Sequence, residues 1–199
     1  THNLSSSFKT DNFENILGKA QDGYAISKDE LKDLFKTSGK YINDIAEVAN
    51  ELNESIHQDK VTFVKNRNIN YTNQCYFKCG FCGFSKGPKS FDLKEKPYNL
   101  EPQEVVARSV EAYKDGASEV CLQGGIHPEY TGHFYLDLVQ KIKSEVPDLH
   151  IHGFTPLEIW QGAETINLSV EDYLTLLKEA GLNTLPGTAA EILDNRIRE

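Results

Sequence analysis

Three cysteines lie close enough together in this sequence to bind one metal centre. Cys75, Cys79 and Cys82 fall within a stretch of eight residues, with three and then two residues between them. Thiolates are soft ligands that select iron-sulfur clusters, Cu(I) or zinc. A cubane iron-sulfur cluster usually takes four cysteines, so three cysteines from one loop leave one iron with a free coordination position.

The free position gives a three-cysteine 4Fe-4S cluster a specific chemistry. An amino and a carboxylate group can chelate the open iron, and S-adenosylmethionine carries both. One electron from the cluster then cleaves the sulfonium and yields methionine and a 5'-deoxyadenosyl radical. Because such a radical must be kept from water and oxygen, the protein would orient the cofactor inside a closed cavity.

Two other classes of site fit the same thiols. A structural zinc site takes four closed ligands and would have to recruit His57 or His127 from distant parts of the chain. A non-catalytic iron-sulfur module or electron carrier would hold a cluster without S-adenosylmethionine. We favour the radical enzyme. Cys121 lies in an apolar strand pattern, which predicts a small buried hydrophobic residue and not a fourth ligand.

The composition favours a globular protein that acts on small molecules. The chain has 199 residues, of which 39% are hydrophobic and 26% charged, which is enough for a real core. A formal charge of −9 argues against nucleic acid or an anionic membrane as the main partner. We find neither about 20 consecutive apolar residues nor a signal-peptide pattern, which predicts a cytoplasmic protein with reduced thiols.

The element pattern predicts a helical N-terminal leader over residues 1–58 and a parallel α/β core over residues 59–199. In the leader, Ser27 and Glu30 have the spacing of a capping box at a helix start. In the core, the stretches 61–64 and 69–72 predict strand that leads into the cysteine loop. Three more strands and a loop are predicted, at 119–122, 149–152 and 183–185 and at 153–168.

Strands and helices alternate at a spacing of about thirty residues, which is typical of a parallel sheet with right-handed crossovers. An open doubly wound sheet fits this pattern. Polar or glycine-rich loops after the strands favour a (β/α) barrel, whose active face lies at the C-terminal ends of its strands. A full barrel needs about 250 residues. Since the chain starts with Thr1 and has no Met, we expect a fragment with about the first half of a barrel, incomplete at its C-terminus.

The loop after the second predicted strand supplies several candidates for the site. It reads Gln123-Gly124-Gly125, followed two residues later by His127. Two glycines can simply form a tight turn, but behind a cluster loop they would let the backbone approach a ligand. Gln123 and His127 are therefore candidates to contact the substrate or the cofactor.

The third predicted strand and the residues after it supply further candidates. Alternation places His150 and His152 on one face of that strand. His152 lies nearer the C-terminal end, so it is the candidate to line the cavity. Thr155 and Glu158 fall in the predicted loop beyond, where substrate groups would be met, although a loop glutamate is usually solvated.

The cysteine motif has the form Cys-x-x-x-Cys-x-Phe-Cys and resembles that of the radical S-adenosylmethionine superfamily. The resemblance implies a 4Fe-4S cluster held by Cys75, Cys79 and Cys82. It implies that Phe81 lies on the adenine side of S-adenosylmethionine, and that Gly124 and Gly125 hold the amino acid end. Ile126 stands where the superfamily usually has an acid.

Longer segments resemble a narrower family. Residues 66–73, 119–128, 150–158 and 186–194 are similar to the tyrosine-using subunit of FO synthase (CofH), a 5-amino-6-(D-ribitylamino)uracil–L-tyrosine 4-hydroxyphenyl transferase. The resemblance implies that a 4-hydroxybenzyl group from L-tyrosine is joined to the uracil, in the synthesis of the deazaflavin FO of coenzyme F-420. It also implies an electron donor such as flavodoxin or ferredoxin, and a sister FO synthase subunit that closes the deazaflavin.

Two enzymes of menaquinone synthesis, aminofutalosine synthase and cyclic dehypoxanthine futalosine synthase, share most of these segments. They are the alternative within the same superfamily. Our preference for the tyrosine-using family rests on the runs 123–128 and 186–194.

Overall fold

A computed structural model describes residues 10–58, 60–77, 82–86, 96–187 and 192–198. The chain forms two compact units, one ending at Phe63 and the other starting at Val64. Among the described residues, no helix combines the length and the apolar composition that crossing a membrane requires.

The first unit is helical. It contains α1 (Thr10–Gln21), α2 (Lys28–Phe35) and α3 (Lys40–His57). Ser27 and Glu30 form the predicted capping box at the start of α2, because each side chain accepts a hydrogen bond from the backbone N–H of the other. Lys19 joins α1 to α2 through an ion pair of 2.9 Å with Glu30.

The second unit, as far as the structure describes it, is built on three parallel strands, β1 (Asn66–Asn70), β2 (Glu119–Gln123) and β3 (His150–Gly153). They lie in the order β1-β2-β3, and each pairs with its neighbour in sequence. A doubly wound sheet would reverse its direction at a switch point, whereas a sheet that grows one way is the start of a (β/α) barrel. The predicted fold class is confirmed as a partial barrel.

Within the described residues, five helices accompany the sheet: α4 (Pro102–Lys114), α5 (Gly132–Glu145), α6 (Pro156–Thr165), α7 (Val170–Ala180) and the short α8 (Asn195–Arg198). Apolar side chains of α4 to α7 join those of the strands in one buried core. The strands contribute Ile69, Val120, Leu122 and Ile151. Alternation along each strand therefore turns the apolar face toward the helices and leaves the other face polar.

Two predicted strands do not form as expected. The stretch 61–64 has no regular structure, and Val61 and Phe63 are 92% and 88% exposed. The strand predicted at 183–185 is reduced to a single bridge between Thr184 and His152. The stretch 61–64 has strand-forming residues, but propensity without a paired neighbour does not make a strand. The stretch 183–185 does lie beside β3, since the Gly153 N–H donates to the Thr184 carbonyl at 2.9 Å and the Asn183 N–H donates to the Ile151 carbonyl at 3.1 Å.

The prediction of a loop over residues 153–168 was wrong, because this stretch contains α6. The sequence carries the signals of a helix start: Thr155 is the N-cap, Pro156 stands at the first helical position, and Glu158 completes a capping box. Glycine has a low helix propensity, so Gly162 argues against a helix when propensity alone is considered. It is nevertheless required, because a Cβ there would lie 2.9 Å from the Tyr173 ring of α7.

Candidate cofactor and substrate site

The cysteine loop follows β1 directly, as predicted. Cys75 is half-buried and Cys82 is exposed, and both are free thiols. The loop closes on itself, because the Cys75 N–H donates to the Lys86 carbonyl at 3.3 Å. Cys79 and Phe81, the other two residues predicted for this site, lie outside the described residues.

The loop after β2 packs against the cysteine loop. The Gly125 N–H donates to the Thr72 carbonyl at 2.8 Å, and the Tyr76 N–H donates to the Ile126 carbonyl at 3.1 Å. A Cβ on Gly125 would lie 2.3 Å from the Gln74 carbonyl oxygen and 2.8 Å from the Cys75 Cβ. Only glycine permits this approach, so the structure brings the predicted glycine turn against the predicted metal ligand.

Gly124 makes a second close contact, with the residue that follows β1. A Cβ on Gly124 would lie 2.6 Å from the Tyr71 ring, and Tyr71 is fully buried. The Gly124 N–H donates to Glu158 Oε1 at 3.2 Å. The Tyr71 hydroxyl donates to the same oxygen.

Glu158 is the residue of this region whose position the sequence did not predict. It was expected to be solvated, but it is 0% exposed. Its other oxygen, Oε2, accepts from the Thr155 N–H at 2.7 Å. Burial raises the pKa of Glu158 to about 8, against the lowering effect of hydrogen bonds from the Thr155 and Gly124 backbones. The capping-box spacing was the available signal for its location.

The other candidates of the β2 loop have different environments. Gln123 ends β2 and lines a cavity of about 280 Å³ together with Asn70, Phe84 and Gly124. His127 is buried. Its Nδ1 accepts from the Glu129 N–H at 3.3 Å, and its ring lies 4.6 Å from that of Tyr130. The structure thus holds His127 within its own loop and leaves Gln123 facing an open space.

The polar face of the sheet carries the two histidines of β3. By strand alternation it comprises Asn66, Asn68, Asn70, Glu119, Cys121, Gln123, His150 and His152. Cys121 is half-buried on this face, which corrects the prediction of a buried hydrophobic residue. Burial and then the charge of Glu119 raise the pKa of its thiol.

Thr184 connects the histidines. Its hydroxyl lies 2.8 Å from His150 Nε2 and 2.6 Å from His152 Nδ1. His150 Nε2 also lies 3.7 Å from Glu119 Oε2. One ligand atom from each of Glu119, His150 and His152 falls within 4.8 Å of the others, a spacing that could hold a metal ion. Thr184 already partners both rings, so we read the group as a hydrogen-bonded polar network.

The fold and the site together define a class of protein: a partial parallel (β/α) barrel with free thiols in the loop after its first strand and a glycine turn after its second. Residues 69–199 match the sequence model of the Radical SAM superfamily. The chain belongs to the radical SAM superfamily. Membership implies a 4Fe-4S cluster and S-adenosylmethionine as cofactors.

Comparison with curated proteins identifies more specific relatives within this superfamily. The chain is 45% identical over 178 residues to an FO synthase of Nocardia farcinica, covering 89% of this chain and 20% of that protein. It is 42% identical over 183 residues to the 5-amino-6-(D-ribitylamino)uracil–L-tyrosine 4-hydroxyphenyl transferase of Methanothermobacter thermautotrophicus, covering 92% of this chain and 48% of the relative. The chain thus spans a fifth of the first relative and about half of the second.

Solved structures support the fold. The FeFe-hydrogenase maturase HydG from Carboxydothermus hydrogenoformans superposes with a TM-score of 0.58 at 16% identity, covering 89% of this chain and 48% of HydG. At that identity the likeness concerns the fold alone.

Proposed function

We propose that the protein containing this chain is a radical SAM transferase that joins the 4-hydroxybenzyl group of L-tyrosine to 5-amino-6-(D-ribitylamino)uracil, in the synthesis of the deazaflavin FO of coenzyme F-420. The structural observation that carries the proposal is the close packing of Gly125 on Cys75. It sets the turn expected to hold S-adenosylmethionine beside the thiols expected to hold the cluster. The similarity to a transferase of that name supports the choice of substrates.

The residues present fit these cofactors. Cys75 and Cys82 are free thiols in one loop, and soft thiolates suit iron-sulfur clusters. With Cys79 they would hold the 4Fe-4S cluster. Gly124 and Gly125, together with Phe81, would hold S-adenosylmethionine. When bound, the two cofactors supply a one-electron reductive cleavage that makes hydrogen-atom abstraction possible.

The remaining predicted residues would act on the substrates. Gln123 faces the cavity beside the glycine turn, and its amide can both donate and accept hydrogen bonds. His152 lies on the polar face with its ring fixed by Thr184. We assign these two to orienting polar substrate groups. His127, whose Nδ1 is occupied within its loop, has only its other nitrogen for such a contact.

The proposed reaction requires further partners. An electron donor such as flavodoxin or ferredoxin would reduce the cluster, and a sister FO synthase subunit would close the deazaflavin ring. A reducing cytoplasm is the compartment that suits an oxygen-sensitive cluster held by free thiols.

A product assay tests the function. Full-length protein is reconstituted anaerobically with iron and sulfide and given S-adenosylmethionine, both substrates and a chemical reductant. We expect 5'-deoxyadenosine and a tyrosine-derived adduct of the uracil, both absent from the Cys75→Ala variant. Formation of neither product by the wild-type protein overturns the proposal. Turnover of futalosine-type substrates instead would assign the protein to menaquinone synthesis, and zinc without broad visible absorption would exclude both enzymes.

A further inference from the structure

The Glu158 carboxylate connects the ends of all three strands. Tyr71 follows β1, Gly124 follows β2 and Thr155 follows β3. Each of these residues donates a hydrogen bond to Glu158, the first two to Oε1 and the third to Oε2. One side chain of α6 thus fixes three successive strand ends at the face where a barrel places its active site.

The site around Glu158 leaves little freedom. Glu158 and Tyr71 are both 0% exposed. The Tyr71 ring packs among other aromatic rings, with centroids 5.8 Å from Phe134 and 6.3 Å from Phe154. A buried donor that loses its acceptor costs about 1–3 kcal/mol. Removing the Glu158 carboxyl group would leave both the Tyr71 hydroxyl and the Gly124 amide without an acceptor.

The two segments held by Oε1 lead into the two loops of the proposed cofactor site. Gly124 is adjacent to Gly125, which touches Gln74 and Cys75. Tyr71 is adjacent to Thr72, whose carbonyl accepts from the Gly125 N–H at 2.8 Å. A shift of Glu158 would therefore move the glycine turn relative to the cysteine loop.

We propose that Glu158 is a positioning residue that holds the glycine turn in register with the cysteine loop, so that both can hold one molecule of S-adenosylmethionine. The inference rests on the proposed function for the identity of that ligand. Glu158 itself is buried behind Gly124, so it acts through the loop and does not touch the cofactor.

A purely structural role has a different signature. Glu158 also completes the capping box of α6, where the Thr155 side chain accepts from the Glu158 N–H at 3.3 Å. Thr155→Ala removes that cap and leaves the Thr155 backbone donor in place. If Glu158 only stabilised α6, the Thr155 variant and a Glu158 variant would have the same effects.

The test uses full-length protein and three substitutions. Glu158→Leu keeps the bulk but removes the acceptor, and Glu158→Gln keeps a carbonyl that can accept from Gly124. For reconstituted protein we expect Glu158→Leu to weaken S-adenosylmethionine binding about tenfold or more, as for a buried donor that loses its acceptor. We also expect it to abolish the change that S-adenosylmethionine causes in the EPR spectrum of the reduced cluster. Glu158→Gln restores both readouts in large part, and Thr155→Ala lowers only the melting temperature.

A second readout needs no cofactor. Amide hydrogen exchange of the apoprotein, followed by mass spectrometry, should show faster exchange across residues 123–126 in Glu158→Leu but not in Thr155→Ala. If Glu158→Leu does not fold, Tyr71→Phe replaces it in the exchange experiment, because it removes one of the two donors to Oε1 and keeps the ring. It should leave exchange at 123–126 slow and remove the protection of the segment before Cys75.

The proposal is overturned if Glu158→Leu and Thr155→Ala change stability alike while exchange and S-adenosylmethionine binding stay at wild-type levels. In the fallback arm, wild-type exchange of the segment before Cys75 in Tyr71→Phe overturns it. These readouts use neither tyrosine nor the uracil. Wild-type protein that binds S-adenosylmethionine but forms no adduct would therefore contradict the proposed function and leave the role of Glu158 standing.

Discussion

At Gly125 a single hydrogen atom in place of a side chain decides whether two loops can meet. The contact is with the Gln74 carbonyl and the Cys75 Cβ, neither of which can rotate away as the end of a long side chain could. We predict that Gly125→Ala destabilises the protein by about 1–3 kcal/mol and lowers its iron content after reconstitution. Gly83→Ala, in the cysteine loop, is the matched control, because a Cβ there meets no atom of the described residues within 4 Å. Equal iron content and melting temperature in the two variants would contradict the packing described.

Glu158 makes stability depend on pH in a defined direction. Its pKa is raised by burial from 4.5 to about 8, so between these values the folded chain binds a proton that the unfolded chain releases. Stability should therefore fall as pH rises from about 5 to 8 and level off above, by an amount on the order of a few kcal/mol. Denaturant midpoints measured across this range test the prediction, and Glu158→Gln should flatten this part of the profile. A profile that the substitution leaves unchanged would show that another group titrates.

The residues of the site differ in how far sequence alone predicts them. Cysteine spacing and paired glycines carry their chemistry locally, so the two loops could be predicted to face the same ligand. Glu158 could not be assigned, because its partners Tyr71 and Gly124 lie 87 and 34 residues away. Cys121 was misplaced although alternation gives the signal, because it shares one strand face with Glu119 and Gln123.

Among the elements, α6 and α7 pack at a contact that requires a glycine. A Cβ on Gly162 would lie 2.9 Å from the Tyr173 ring, and the Tyr173 hydroxyl is held by a 2.8 Å hydrogen bond to the Gly132 carbonyl. We predict that Gly162→Ala destabilises the fold by about 1–3 kcal/mol, measured by denaturant unfolding. Gly187→Ala, where a Cβ meets no atom within 4 Å in the part of the chain that the structure describes, should leave the midpoint unchanged. The same midpoint for both variants would argue against this packing.

The elements that sequence predicts well are those with local signals. Helices α2 and α7 have Ser27 and Ser169 as N-caps, whose side chains accept from backbone N–H groups three residues on. Strands depend on a partner that may be far along the chain. The stretch 61–64 therefore reads as a strand but has no strand pairing among the described residues, and 183–185 pairs with β3 only through a single bridge.

In the second unit as a whole, one face of the sheet forms the core and the other carries the candidate site residues. The apolar face packs on the helices, and the polar face carries Gln123 and His152. We predict that His152→Ala in the full-length protein lowers kcat/KM for adduct formation about tenfold or more and leaves the S-adenosylmethionine-dependent EPR change intact. His133→Ala, at an exposed histidine of α5, is the matched control. Equal rates in the two variants would remove His152 from the substrate site.

The contact of Gly125 with a backbone oxygen has a consequence for genetics. Replacing the Gln74 side chain cannot relieve the clash that Gly125→Ala creates, because the atom in the way belongs to the main chain. A selection for suppressors of that variant should then return the original glycine codon far more often than a second substitution at position 74. Where two loops meet through main-chain atoms, restoring the glycine itself is the expected way to restore the packing.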